Sequence, residues 1–135
     1  MHKLFLSVGA LLGGIAVALG AFGAHGLKRI VPVETVNTFQ TGVQYQMYHA
    51  LALIAVAVVF EKFPAKLMVW AGAAFCIGIL LFSGSLYLLT ILKATGKVGL
   101  EGVGIITPFG GLVFIAGWIC LLIGIFSGPA QHSHP

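Results

Sequence analysis

The chain has 135 residues, of which 59% are hydrophobic and only 7% charged, with a net charge of +4. A soluble domain carries about 25% charged residues, so a water-soluble globular domain is excluded, and the length leaves room for one domain only. The basic residues are spread along the chain rather than gathered in a patch, which excludes a nucleic-acid face and fits helix ends meeting lipid headgroups.

The charges fall in four places: Lys3; Lys28, Arg29 and Glu34; Glu61, Lys62 and Lys66; Lys93, Lys97 and Glu101. The runs between and after them are mostly apolar. A charge at the bilayer centre costs about 2.5–3.5 kcal/mol on insertion scales, so charge-free apolar runs of about 20 residues read as membrane spans. The predicted fold is therefore all-α: a four-helix transmembrane bundle with an amphipathic interfacial segment before the second span. A single membrane domain covers 1–126, with spans at 4–24, 43–60, 67–92 and 107–126 and a flexible polar tail at 127–135.

The first span is rich in small residues. Gly9 and Gly13 form a GxxxG pair, and Ala16, Gly20 and Ala24 continue at the same spacing. Such rows let helix backbones approach closely where lipid competes for apolar contacts. Lys3 and the Ala21-Phe22-Gly23 sequence resemble parts of a signal peptide. The run is longer than a typical signal core of about 7–15 residues, so it is read as a retained span. His25 closes it beside Lys28 and Arg29, with Gly26 expected as a left-handed cap and headgroup contact as the simplest role for His25.

The second span is less apparent. Its purely apolar part, 50–60, is too short to cross about 30 Å. The helix must therefore begin earlier, with Pro32 at its first position, Glu34 in its first turn and an amphipathic start over 33–42. A break near Gly42 is expected. The third span, after Pro64, carries Ser83, Ser85, Tyr87 and Thr90 in its second half. The fourth opens on Thr107-Pro108, read as an N-cap followed by proline, and is made for close packing by Gly110, Gly111 and Gly117. Cys76 and Cys120 fall inside spans and read as small packing residues.

Four spans put both termini and the 61–66 connection on one side, here side A. The connections after the first and third spans lie on side B. Lys3, Lys62, Lys66 and the amino terminus on side A balance Lys28, Arg29, Lys93 and Lys97 on side B, so there is no positive-inside asymmetry. The polar exceptions are less even. His25, Tyr45, Tyr48, His49, Ser83, Ser85, Tyr87 and Thr107 all fall toward side B, and Tyr45 and His49 share one helical face.

Two readings of His49 stand side by side. A neutral histidine hydrogen-bonded across helices acts as glue, whereas an ionisable group inside a span is a functional candidate, as a ligand contact or proton relay. Two histidines at different depths, with no carboxylate near them, do not make a haem or metal site, so no metal or cofactor is expected. The tail pair His132 and His134 is too weak a pattern to be one. There is no Asp, and the three Glu lie outside the spans, which excludes paired-carboxylate chemistry. Ser83 and Ser85 have no spacing that favours a hydrolase with His49. The Gly96, Gly99, Gly102, Gly104 run lacks the order of a phosphate loop.

Several of these segments resemble a known family. They are Gly20-Ala21-Phe22-Gly23-Ala24-His25-Gly26-Leu27, the stretch from Phe39 through Tyr45, Tyr48 and His49 to Leu51, Phe82-Ser83-Gly84-Ser85-Leu86-Tyr87 and Thr107-Pro108-Phe109-Gly110-Gly111. Together they resemble the transmembrane protein 256 family over residues 4–126. That resemblance implies a four-span protein of bacterial cell membranes or organelle membranes, and implies no reaction, substrate or cofactor.

The sequence reads as a non-enzymatic membrane protein packed by Gly9, Gly13, Gly20, Gly110 and Gly117. Its polar cluster is expected to bind a small ligand or lipid, or to assemble the chain with itself or another membrane protein. The alternative is a small oligomeric transporter or channel with His49 as relay or path-lining residue. The partners implied are the lipid bilayer, a second copy and a small ligand or lipid.

Overall fold

A computed structural model describes residues 1–63, 66–97 and 101–128. Pro64, Gly99 and the tail from 129 on, including His132 and His134, lie outside the described residues. The chain forms α1 (Lys3–His25), α2 (Val33–Val59), α3 (Lys66–Gly78), a π-helical turn (Ile79–Ser83), α4 (Gly84–Ala94) and α5 (Ile106–Phe126), with short 3-10 turns before α2 and α5. There is no strand among the described residues. The segment α3, π turn and α4 is continuous from Lys66 to Ala94, so four helices are long and apolar enough to cross a membrane.

Burial is concentrated in α2 and in this third span, which form the centre of the bundle. α1 lies along α2 on one flank, and α5 lies along the third span on the other. The larger core joins Phe5, Leu53, Val56, Met68, Phe75 and Phe114 in the half toward side A. A smaller one joins Ala16, Leu27, Val31, Phe39 and Val43 toward side B.

α2 is one unbroken helix of 27 residues, about 40 Å long and thus longer than the hydrocarbon core. Its first turns are amphipathic, with Thr35 and Phe39 buried and Glu34 and Asn37 exposed. The break expected near Gly42 is absent. Gly42 is buried, and a Cβ there would lie 2.9 Å from the Tyr87 ring; the ring fills the place a side chain would take, and packing holds the helix straight.

The glycines differ in how closely they are approached. A Cβ at Gly110 would lie 2.5 Å from the backbone N of Phe82, so α5 and the π turn meet backbone to backbone. At Gly9 it would meet Ile54 at 2.7 Å, and at Gly117 the Phe75 ring at 2.8 Å. Gly13 and Gly20 are looser, with nearest atoms at 4.0 Å on Met47 and 3.4 Å on Val43.

Two expected caps are corrected. Gly26 has φ −73° and the chain continues into a 3-10 turn, so it is not a left-handed cap. The left-handed residue is Gly96 at φ 67°. There the N–H of Lys97 donates to Leu92 O at 3.0 Å and that of Gly96 to Lys93 O at 3.2 Å, the paired bonds that satisfy the last carbonyls of α4. Thr107 is not an N-cap either: α5 begins at Ile106, and Thr107 sits in its first turn. Pro108 is tolerated beside it because N–H groups of a first turn have no intrahelical partner.

Candidate functional site

The buried polar side chains of the spans are spent on one another and on backbone carbonyls, and they extend from mid-depth toward side B. Gln46, at the middle of α2, links three helices. Its Nε2 donates to Leu12 O of α1 at 2.8 Å, and its Oε1 accepts from the Tyr87 hydroxyl of α4 at 2.7 Å. Gln40 Nε2 donates to Gly20 O at 3.2 Å. Ser83 Oγ, fully buried, donates to Gly42 O at 2.6 Å. Ser85 Oγ donates to Phe82 O at 2.8 Å. A serine has one hydroxyl proton, so the 2.6 Å contact between Ser85 and Thr107 must be donated by Thr107. Thr90 Oγ1 donates to Leu86 O at 2.9 Å. Among the described residues no buried side-chain nitrogen or oxygen lacks a partner.

The π turn fits this network. A π turn takes one extra residue into the helix and disturbs the regular carbonyl ladder. Phe82 O inside it receives the Ser85 hydroxyl, while Gly110 of α5 lies directly against the Phe82 backbone.

His49 lies about 4.5 Å along the axis from Gln46 and is bonded to α5 rather than to α1 or α4. It is 5% exposed. Its Nδ1 is 2.7 Å from Tyr45 O, and Trp118 Nε1 of α5 donates to its Nε2 at 3.1 Å. Its ring lies flat on Phe114, with centroids 3.5 Å apart and planes 7° apart, and the Phe75 ring lies 5.5 Å away, tilted by 53°.

Beside His49 an open groove of about 420 Å³ runs along the lipid-facing surface between α2, the π turn and α5. Tyr45, Phe82, Phe114 and Trp118 form much of its wall, with Pro108 and Gly111 at its side B end. Tyr45 stacks on Phe82 with centroids 4.4 Å apart and planes at 27°. No charged residue lines the groove. The Tyr45 hydroxyl makes no hydrogen bond with any described residue.

Thus Tyr45 and His49 come together in the groove, while Ser83, Ser85, Tyr87 and Thr107 become bonds between neighbouring helices or turns. His25 and Tyr48 stand apart. His25 is exposed at the end of α1, and Tyr48 is 56% exposed, its ring tilted beside Tyr45 with centroids 6.0 Å apart. Among the described residues no group of three or more His, Cys, Asp or Glu gathers to hold a metal. Sequence reasoning left out Gln46, Phe82, Phe114 and Trp118. A signal existed for two of them. A glutamine inside a span must find partners, and tryptophan is enriched at membrane interfaces, so one at mid-span needs a partner for its N–H.

A family profile described as a protein of unknown function, DUF423, matches residues 19–111. The UPF0382 membrane protein YwdK of Bacillus subtilis is 43% identical over 122 residues, covering 90% of this chain and 94% of that protein. A UPF0382 membrane protein of Haemophilus influenzae is 43% identical over 129 residues, covering 93% and 96%. The UPF0382 inner membrane protein YgdD of Escherichia coli is 37% identical over 122 residues, covering 90% and 88%. No solved structure matches. These matches correct the resemblance to the transmembrane protein 256 family, since the profile and the relatives are of a different family.

Proposed function

The chain belongs to the DUF423 family and is a multi-pass membrane protein, and we propose that it binds a small membrane-dissolved ligand or lipid in the groove between α2, the π turn and α5. The observation that carries this reading is the Tyr45 hydroxyl. Tyr45 lines the groove within a membrane span, its hydroxyl has no hydrogen-bond partner among the described residues, and an unpaired polar group in hydrocarbon costs about 1–3 kcal/mol. A bound molecule bearing a hydrogen-bonding group removes that cost. Shape supports the same reading, since a concave, mostly apolar and aromatic groove with a few polar groups, of which His49 and Trp118 are paired with each other, is how ligand sites are built.

The polar residues already paired within the chain favour neither assembly nor transport. Gln46, Ser83, Ser85, Tyr87 and Thr107 are engaged within the chain, which leaves none of them to bind a second copy. A relay histidine needs a nitrogen open to a proton path, and both nitrogens of His49 are engaged. The groove reading is tested with the purified protein in vesicles containing phospholipid brominated along one chain. Saturable quenching of Trp118 emission in a Trp70→Phe protein is expected, and its loss on Gly111→Leu, which fills the groove. Quenching that rises in proportion to bromine, unchanged by Gly111→Leu, would sink it.

A further inference from the structure

The face of α2 turned away from the bundle carries polar groups at a depth where lipid offers them nothing. At about 100° per residue, Gln44 and Tyr48 each lie about 160° round the helix from Gln46, whose amide points inward to α1 and α4. Both are exposed, Tyr48 by 56%, and neither makes a side-chain hydrogen bond with any described residue. Neither lines the groove. Their depth follows from α1. The Gln46 amide reaches Leu12 O at 2.8 Å, and a Cβ at Gly13 would stand 4.0 Å from Met47. Leu12 and Gly13 are at the middle of the apolar run 4–24. At about 1.5 Å per residue, Tyr48 is then about 1.5 Å and Gln44 about 4.5 Å from the bilayer midplane. The hydrocarbon extends about 15 Å to either side, so neither side chain reaches water.

We infer that a second copy of this chain covers this face, α2 against α2 about a two-fold axis along the membrane normal, with the two Gln44 amides paired. Copies inserted the same way run parallel, and the axis sets residues near it opposite themselves. A primary amide is complementary to itself. Its carbonyl, the negative end, accepts from the NH2, the positive end, of the second amide, and the exchange is reciprocal. A tyrosine hydroxyl likewise both donates and accepts. Acyl chains at this depth do neither, whereas glutamines bonded across helices hold membrane helices together. The rest of the face permits the contact. Asn37, Thr41, Gln44, Tyr48, Leu51 and Ala55 follow one another at spacings of four and three residues, the repeat along which two helices stay in register. The one charge of α2, Glu34, lies about 20 Å from the midplane, in water, where like charges are screened.

The test uses the full chain in phosphatidylcholine vesicles, mixing copies labelled at the amino terminus with donor or acceptor dye over a range of lipid-to-protein ratios. Energy transfer that rises linearly with acceptor fraction, the signature of a dimer, is expected. Gln44→Leu, apolar and close in size, is expected to weaken association about tenfold, and Tyr48→Phe by less. In a chain carrying Cys76→Ala and Cys120→Ala, Leu51→Cys is expected to give a disulfide-linked dimer on mild oxidation. Leu80→Cys, at a position of the third span that is 73% exposed, is expected to give none. Circular dichroism and thermal unfolding check that each variant folds, and the cross-link leaves Gln44 untouched, so it reads the face even if Gln44→Leu does not fold. Association unchanged by Gln44→Leu in folded protein would overturn the amide pair. Monomer at every ratio, or a cross-link with Leu80→Cys and not with Leu51→Cys, would overturn a second copy as the occupant of this face.

Discussion

Trp118 donates its indole N–H to His49 Nε2, and this bond leaves the proton of His49 on the nitrogen that faces the Tyr45 carbonyl. Indole nitrogen cannot accept, so Nε2 must. The proton of the neutral ring is then on Nδ1, donated to Tyr45 O at 2.7 Å. One side chain on α5 and one carbonyl on α2 thereby require the same tautomer, on two helices that meet chiefly through the side chains lying over the third span.

Removing the donor exposes what it does. Trp118→Phe keeps an aromatic ring beside Phe75 but leaves Nε2 unpaired in a nearly buried ring, which costs about 1–3 kcal/mol. The unfolding midpoint in detergent drops accordingly. Nitrogen chemical shifts of labelled His49 report the mechanism: Nδ1–H is expected in parent and variant alike, because Tyr45 O still requires a donor there, and the Nε2 resonance alone moves as its hydrogen bond is lost. An unmoved Nε2 resonance would mean that Trp118 does not donate to it.

Gln46 and Tyr87 are coupled. Gln46→Leu strands the Tyr87 hydroxyl and also removes the bond to Leu12 O. A double-mutant cycle with Tyr87→Phe measures the pair. Cycles of this kind inside membranes average about 0.6 kcal/mol and reach about 1.7, and this pair is expected toward the upper end because both groups are held between helices. A coupling of zero in thermal or denaturant unfolding would show that the two groups find other partners.

Adding one methyl group at different glycines ranks the helix contacts. Gly110→Ala drives a Cβ into the Phe82 backbone, which cannot rotate away, so the fourth span must shift; a loss of about 1–3 kcal/mol is expected. Gly20→Ala meets only ordinary contact at 3.4 Å and costs little. Gly14→Ala meets nothing within 4 Å and is neutral or stabilising by up to about 1 kcal/mol through helix propensity. Unfolding midpoints in one detergent should follow that order.

The amino terminus approaches Glu61 at 3.6 Å, with both groups well exposed. Such surface pairs contribute little. Glu61→Gln is expected to leave the unfolding midpoint unchanged, and the anchoring of the first residues to rest instead on the His2 N–H bond to Ala57 O at 2.9 Å.

The four spans were legible because the cost of placing a charge in hydrocarbon belongs to each residue alone and needs no knowledge of neighbours. The polar exceptions along α2 and the third span were visible for the same reason. Their partners were not. His49 and Trp118 are 69 residues apart, and no local periodicity says that α5 closes over that face of α2. Gly42 misled for a related reason: glycine weakens an isolated helix, but here the Tyr87 ring occupies the space and holds the segment in place. His25 and Tyr48 share the chemistry and the side of the others, yet face away, because side on the membrane is set by topology and facing is set by packing.

The π turn at Ile79–Ser83 gives the third span one residue more than an unbroken α-helix would need to join its two ends in phase. Deleting any single residue there would leave a hydrophobic run still ample to cross the bilayer. A regular α-helix would then join the same two ends, so Ser85, Tyr87 and Thr90 would keep their phase toward their present partners. Among related chains, a one-residue gap within 79–83 thus marks loss of the π turn itself and not of the wiring beyond it.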